Sequence, residues 1–209
     1  MGYDLYGLNP TVNKNYPKEY YNLLKKHGNG TELNWNDAPS DVKDKYFGFQ
    51  DKYQEDNPGS YFRNNVWWWR PLWNYVCEQC QDFLTVEDMA GGGSNDGHRI
   101  SKTKALKISR RLSKLIGEGL VAEEDRKMTL MTAKAQASNQ ELKELMDEIT
   151  KECHKEHGKL VPANYPEPYY SEWKTLQSQH DWDADYPFDA DNIEMFARFC
   201  ESSGGFDIC

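Results

Sequence analysis

The 209-residue chain has no long apolar run: its uninterrupted hydrophobic stretches span only a few residues each, too short for a membrane-crossing helix. Its first residues show neither a basic leader nor the apolar centre of a signal peptide, so a cytosolic setting is expected. N-myristoylation at Gly2 is excluded because Tyr6 stands where Ser or Thr is required. Cysteine is sparse and odd in number. Cys77, Cys80, Cys153, Cys200 and Cys209 are scattered, which argues against a disulfide framework and for reduced thiols. Positive charge is also in short supply: at net −9 the chain lacks the surface of a general nucleic-acid coat, so any anion site must be local. Repeats and low-complexity segments are missing as well.

Aromatic side chains are abundant. Seven Trp, thirteen Tyr and eight Phe supply large apolar area although hydrophobic residues make up only 38% of the chain, which implies a compact aromatic-rich core. The length suits one globular domain over residues 1–209, with 120–160 as a candidate inserted helical arm. Gly2 to Leu8, Phe206 to Cys209 and Tyr61 to Val66 read as short strands that pair into a small sheet. Helical spacing covers Lys18 to Lys26 and a segment capped by Ser40 with Val42, Tyr46, Phe49 and Tyr53. A further helix holds Pro71 in its first turn and runs to about Phe83, after an extended Tyr61 to Trp69. Gly91 to Gly97 reads as a flexible loop, followed by a helix capped by Ser101 that reaches Gly117 or Gly119. Ser138 to Glu141 forms a capping box for a helix with the stripe Leu142, Leu145, Met146, Ile149 and Cys153. Val161 to Tyr170 is expected to be extended because of its three prolines, and a last helix runs from Asp189 to the Gly204–Gly205 stop. The expected fold class is therefore α+β: mainly helices around an aromatic core, a small sheet and a charged arm.

Between Gly97 and Gly117 stand Arg99, Lys102, Lys104, Lys107, Arg110, Arg111 and Lys114, with no acidic residue. Ile108, Leu112, Leu115 and Ile116 share one helix face, and Arg99, Lys104, Lys107, Arg110, Arg111 and Lys114 gather opposite. Two readings follow: an anion site at a helix N-terminus beside a glycine loop, with His98, Arg99 and Lys102, or a solvated face paired with the acidic helix bearing Glu141, Glu144, Glu148 and Glu152. His98-Arg99 follows Gly97 where a nucleotide P-loop requires Lys-Ser or Lys-Thr, so ATPase chemistry of that type is not expected. Three consecutive tryptophans, Trp67 to Trp69, cannot all face one core, and with Arg63 and Arg70 they could stack on a flat ligand and hold its anionic part.

Cys77 and Cys80 with Cys153 and His154 or His157 offer donors for zinc, but the second C-x2-C pair of a zinc knuckle is missing and no metal or other cofactor is assigned. Asp181, Asp183 and Asp185 resemble the start of an EF-hand loop, yet Tyr186 replaces its glycine and Asn192 its bidentate glutamate. Asp96 and His98 could act as acid and base in a metal-assisted hydrolase.

Four motifs, Met1 to Pro10, Tyr61 to Trp73, Asn95 to Ile116 and Ser203 to Phe206, together resemble a family of uncharacterised bacteriophage proteins. The resemblance implies a phage origin and the cytoplasm of an infected bacterial host, with host takeover or anti-defence as the setting. Some relatives carry a C-x2-C-x-Gly-x-Gly knuckle after the basic helix, whereas this chain has the charged arm from Ala122 to Gly158, which argues further against zinc. The expectation is a binding protein rather than an enzyme. Arg63, Asn64, Trp67, Trp68, Arg70, Asp96, His98, Arg99, Ser101 and Lys102 would line a groove for a nucleotide-like, phosphate-bearing anion, or the protein would neutralise a host factor. The alternative is a protein–protein module whose basic helix inhibits an acidic host protein, with no membrane partner.

Overall fold

The computed structural model describes residues 2–209. In chain order the elements are β1 (Gly2–Gly7), α1 (Lys18–His27), α2 (Ser40–Asp56), β2 (Tyr61–Asn65), α3 (Val66–Cys80), α4 (Val86–Gly92), β3 (His98–Ser101) and α5 (Lys102–Gly117). They continue with α6 (Leu120–His157), α7 (Tyr169–Gln177), α8 (Ala190–Ser202) and β4 (Gly205–Ile208). The class is α+β, as composition and spacing imply. Among the described residues no helix is long and apolar enough to cross a membrane.

The chain divides into two compact units, Met1–Val121 with Ala190–Cys209, and Ala122–Asp189. Where a single domain with an arm over 120–160 is expected, the inserted unit runs on to Asp189. The reason is local bonding: after α6 the chain folds back on it. Tyr165 donates its hydroxyl to Thr150 Oγ1 at 3.1 Å, and the Asn139 side chain exchanges two bonds with the backbone of Asp181 at 2.8 and 2.9 Å. Ser138 does not start a helix. Ala133 to Ala137 are strong helix formers without a breaker, so α6 passes straight through the capping-box pattern. The proline-rich stretch also departs from a purely extended path, with a 3-10 turn at Pro162–Asn164 before α7.

In the first unit the four strands are antiparallel in the order β2-β1-β4-β3. Strand alternation sorts the side chains by face. Leu5, Phe62, Ile208, Phe206 and Ile100 are buried, while Tyr61, Tyr6, Asp207 and Arg99 lie cross-strand on the other face. The buried face meets α8, whose stripe of Ile193, Phe196, Ala197 and Cys200 is sealed. β3 is not foreseen from the sequence: four residues interrupted by His98 and Arg99 carry too little alternating apolar signal, and their pairing with β4 spans more than a hundred residues.

The tryptophan run is helical, not extended. Asn65 caps α3, its side chain accepting from the N–H groups of Trp67 and Trp68, so Pro71 falls inside the helix instead of in its first turn. Pro71 cannot donate to the carbonyl four residues earlier, and the burial of Trp69, Leu72, Trp73 and Val76 on one face outweighs that loss. The three indoles accordingly diverge: Trp69 is 0% exposed, Trp68 half-buried and Trp67 42% exposed. Ser40 is the first helical residue of α2 rather than its cap, and makes no capping bond.

Candidate functional site

The expected groove joins the Trp67–Arg70 segment to the glycine run, and the two do meet, but as core. Gly91 and Gly92 form the last residues of α4 rather than a loop. The indole N–H of Trp69 donates to Gly92 O at 2.8 Å, that of Trp73 to Met89 O at 2.9 Å, and the Tyr3 hydroxyl to Gly93 O at 2.8 Å. These aromatic donors satisfy carbonyls that a helix end would otherwise leave open. Trp69 and Trp73 stack at 5.4 Å, and Tyr3 stacks on Trp69 at 5.3 Å. The glycines are required by contact: a Cβ on Gly92 would lie 2.1 Å from the Trp73 ring, and one on Gly91 2.4 Å from His98. Only Gly97, at φ +91, is a turn glycine by conformation.

The remaining expected ligands are engaged elsewhere. Arg63 on β2 and Arg99 on β3 occupy opposite edges of the sheet, about 14 Å apart across two intervening strands. Arg63 pairs with Asp4 at 3.5 Å, and Arg99 makes two bonds to Asp207, at 2.7 and 2.8 Å. The side chain of Asn64 donates to the buried Asn192 at 3.0 Å. Ser101 caps α5 by accepting from Lys104 N, while Lys102 and Asp96 are exposed. Trp67 and Arg70 are exposed on α3.

His98 pairs with Asp88 at 3.3 Å, not with Asp96, and points to the covered side of the sheet against Gly91. Asp88 is buried and closes the α4 capping box: its carboxylate accepts from Thr85 N and Oγ1, both at 2.8 Å, and from Lys104 Nζ. Burial pushes the carboxyl up, but the bonds from Lys104, Thr85 and His98 win and hold it down at about 2. A carboxylate depressed on folding stabilises above its unfolded pKa, and that stability is lost as pH falls from about 4 through 2. Denaturant titrations should therefore show Asp88 contributing about 2 kcal/mol at neutral pH, with Asp88→Asn losing less stability than the wild type over that acid window while Asp56, Asp82 and Asp207, also lowered by their cationic partners, still titrate.

Among the described residues no cluster of three or more His, Cys, Asp or Glu side chains is placed to hold a metal ion. Burial raises the thiols of Cys77 to about 11 and Cys80 to about 12, the latter also shifted by Arg111, Asp82 and Cys77. His154 bonds to Leu160 O, and His157 pairs with Glu156.

One cationic cleft remains open. On α5, Lys107, Arg110, Arg111 and Lys114 follow the i, i+3, i+4, i+7 spacing of a single helix face and, with Asp82 and Phe83, line a cavity of about 420 Å³. Lys107 Nζ sits 5.4 Å and the Arg111 guanidinium 5.8 Å from the centre of the Phe83 ring. Arg111 is anchored, donating to Gln79 O and to Asp82 at 2.9 Å, and it lowers the Asp82 carboxyl pKa. Lys114 reaches Glu118 at 3.7 Å, and Arg110 is exposed. The four cations belong to the basic stripe read from the sequence. Phe83 and Asp82 do not, because their contact to α5 closes over more than twenty residues with no local signal.

Fold and site together define an α+β chain with a small antiparallel sheet and a basic cleft on the helix that follows its edge strand. Compared with protein-family models, curated proteins and solved structures, the chain matches none.

Proposed function

We propose that the protein is a non-catalytic binder that holds a phosphate-bearing ligand in the α5 cleft. The observation that carries this reading is the concentration of four cations against one aromatic ring and one carboxylate, in a chain of net charge −9. Phosphate oxygens take charge-assisted bonds from guanidinium and ammonium groups, Arg111 is pre-oriented by Gln79 and Asp82, and the Phe83 ring offers a face beside them. The row extends about 10 Å along the helix, which suits a di- or triphosphate chain better than one phosphate.

On this reading the setting is the cytoplasm of an infected bacterium, where sequestering a nucleotide-like anion would serve host takeover or anti-defence. The same open row favours a second reading, in which an acidic surface of a host protein docks on α5. Tripolyphosphate should raise the midpoint of thermal unfolding in a saturable way, by an amount that shrinks as NaCl is added. No shift at about 10 mM would sink the phosphate reading. A shift obtained only with hexaglutamate would favour the acidic-protein one.

A further inference from the structure

Also in the first unit, strands β1 and β2 and helix α2 enclose a groove of about 610 Å³ that shares no lining residue with the α5 cleft. Its apolar walls are all aromatic: Tyr6 and Tyr61 from the strands, Phe47 and Tyr53 from α2, and Tyr16 from the segment between β1 and α1. No Leu, Ile, Val or Met is among the lining residues. Between the rings stand the amides of Gln50 and Gln54, the Asp51 carboxylate, the Ser60 hydroxyl and the Arg63 guanidinium.

The rings are held in place before any ligand arrives. Tyr16 is sandwiched between Tyr20 at 4.0 Å and Tyr53 at 4.1 Å. Its segment is pinned by the buried Asn57 side chain, which accepts from Asn13 N at 2.7 Å and Lys14 N at 3.1 Å and donates to Lys14 O at 2.8 Å. Tyr61 donates its hydroxyl to Asp4 and lies 5.3 Å from Tyr6. Even so, Tyr6 and Phe47 each remain 52% exposed, so a pre-organised aromatic surface is left facing water.

We propose that this groove binds a neutral pyranose unit of an oligosaccharide. A pyranose has an apolar C–H face that lies on aromatic rings and a rim of hydroxyls that both donate and accept, which the amide, carboxylate and hydroxyl groups between these rings can satisfy. An amphipathic protein helix would bring aliphatic knobs and find no aliphatic holes. A nucleotide would bring its phosphate to an Arg63 already 3.5 Å from Asp4, with Asp51 also on the wall.

The test uses the full chain, with calorimetry and saturation-transfer NMR against chitotriose, cellotriose and maltotriose, and with adenosine and AMP as counter-probes. At least one trisaccharide should saturate with a Kd at or below about 1 mM, with transfer strongest to its ring C–H protons. Phe47→Ala and Gln54→Ala should each weaken it by about fivefold or more, while Lys107→Glu with Arg110→Glu leaves it unchanged. Phe47 is half in solvent, so its removal spares the core, and Gln54→Ala is the independent check. The proposal is overturned if no trisaccharide saturates by about 10 mM, if adenosine or AMP binds more tightly than every trisaccharide, or if both groove variants bind like the wild type.

Discussion

Gly92→Ala is expected to destabilise the first unit by about 3 kcal/mol, although it places a better helix former in the last turn of α4. The added methyl would lie 2.1 Å from Cε2, 2.2 Å from Cζ2 and 2.5 Å from Nε1 of Trp73. That indole has no slack: it stacks on Trp69 and its N–H is bound to Met89 O at 2.9 Å, so moving the ring breaks a partly buried bond as well as a contact. Trp69→Ala, which opens a cavity under Tyr3 and Phe196, should cost about 4 kcal/mol by the same packing argument. Gly117→Ala is the control. A Cβ there meets nothing within 4 Å, so it should be neutral or stabilising by about 0.5 kcal/mol. Urea midpoints measured at constant m-value decide the matter, and a Gly92→Ala midpoint equal to that of Gly117→Ala would refute the packing account.

This junction also shows where the sequence was legible and where it was not. That three successive tryptophans must diverge follows from helix and strand geometry alone, and Trp67, Trp68 and Trp69 do diverge. Their helical state was hidden because Pro71 argues locally for a later start, and only the Asn65 cap and the burial of Trp69 and Trp73 override it. A run of glycines likewise has two meanings: freedom of the backbone, or room for a neighbour. Gly91 and Gly92 carry the second, which depends on residues far away in sequence such as Trp73 and so leaves no local trace. The basic helix was legible in full, from the Ser101 cap to Gly117, because periodicity and capping are local signals. Which of its cations are engaged was not. Lys104 is neutralised by Asp88, and Arg99, just ahead of the helix, by Asp207; Asp88 lies on α4, which the sequence does not announce, and Asp207 on β4, an expected strand whose pairing with β3 leaves no local signal. Lys107 to Lys114 lie further along α5, where Arg111 pairs with Asp82 and Lys114 with Glu118 while Lys107 and Arg110 are exposed, and for that reason the candidate site moves along the helix from its start to its middle.

Reversing two charges there, Lys107→Glu with Arg110→Glu, should weaken tripolyphosphate binding by about 100-fold or more at low salt. The exchange alters the local charge by four. At about 7 Å in water each charge pair is worth about 0.6 kcal/mol, roughly halved by screening at 0.1 M salt. Summed over an anion of about four charges, this exceeds the roughly 2.7 kcal/mol that 100-fold requires. Both side chains are exposed and glutamate is as good a helix former as lysine or arginine, so the fold should survive and far-UV circular dichroism should not change. Arg63→Ala and Arg99→Ala carry the opposite expectation. Their guanidinium groups are committed to Asp4 and Asp207, so their loss should shift the binding constant by about twofold at most. Were those two variants to abolish binding while the α5 reversal left it intact, the ligand would belong to the sheet edges, and the cleft around Phe83 would be no more than a solvated helix face.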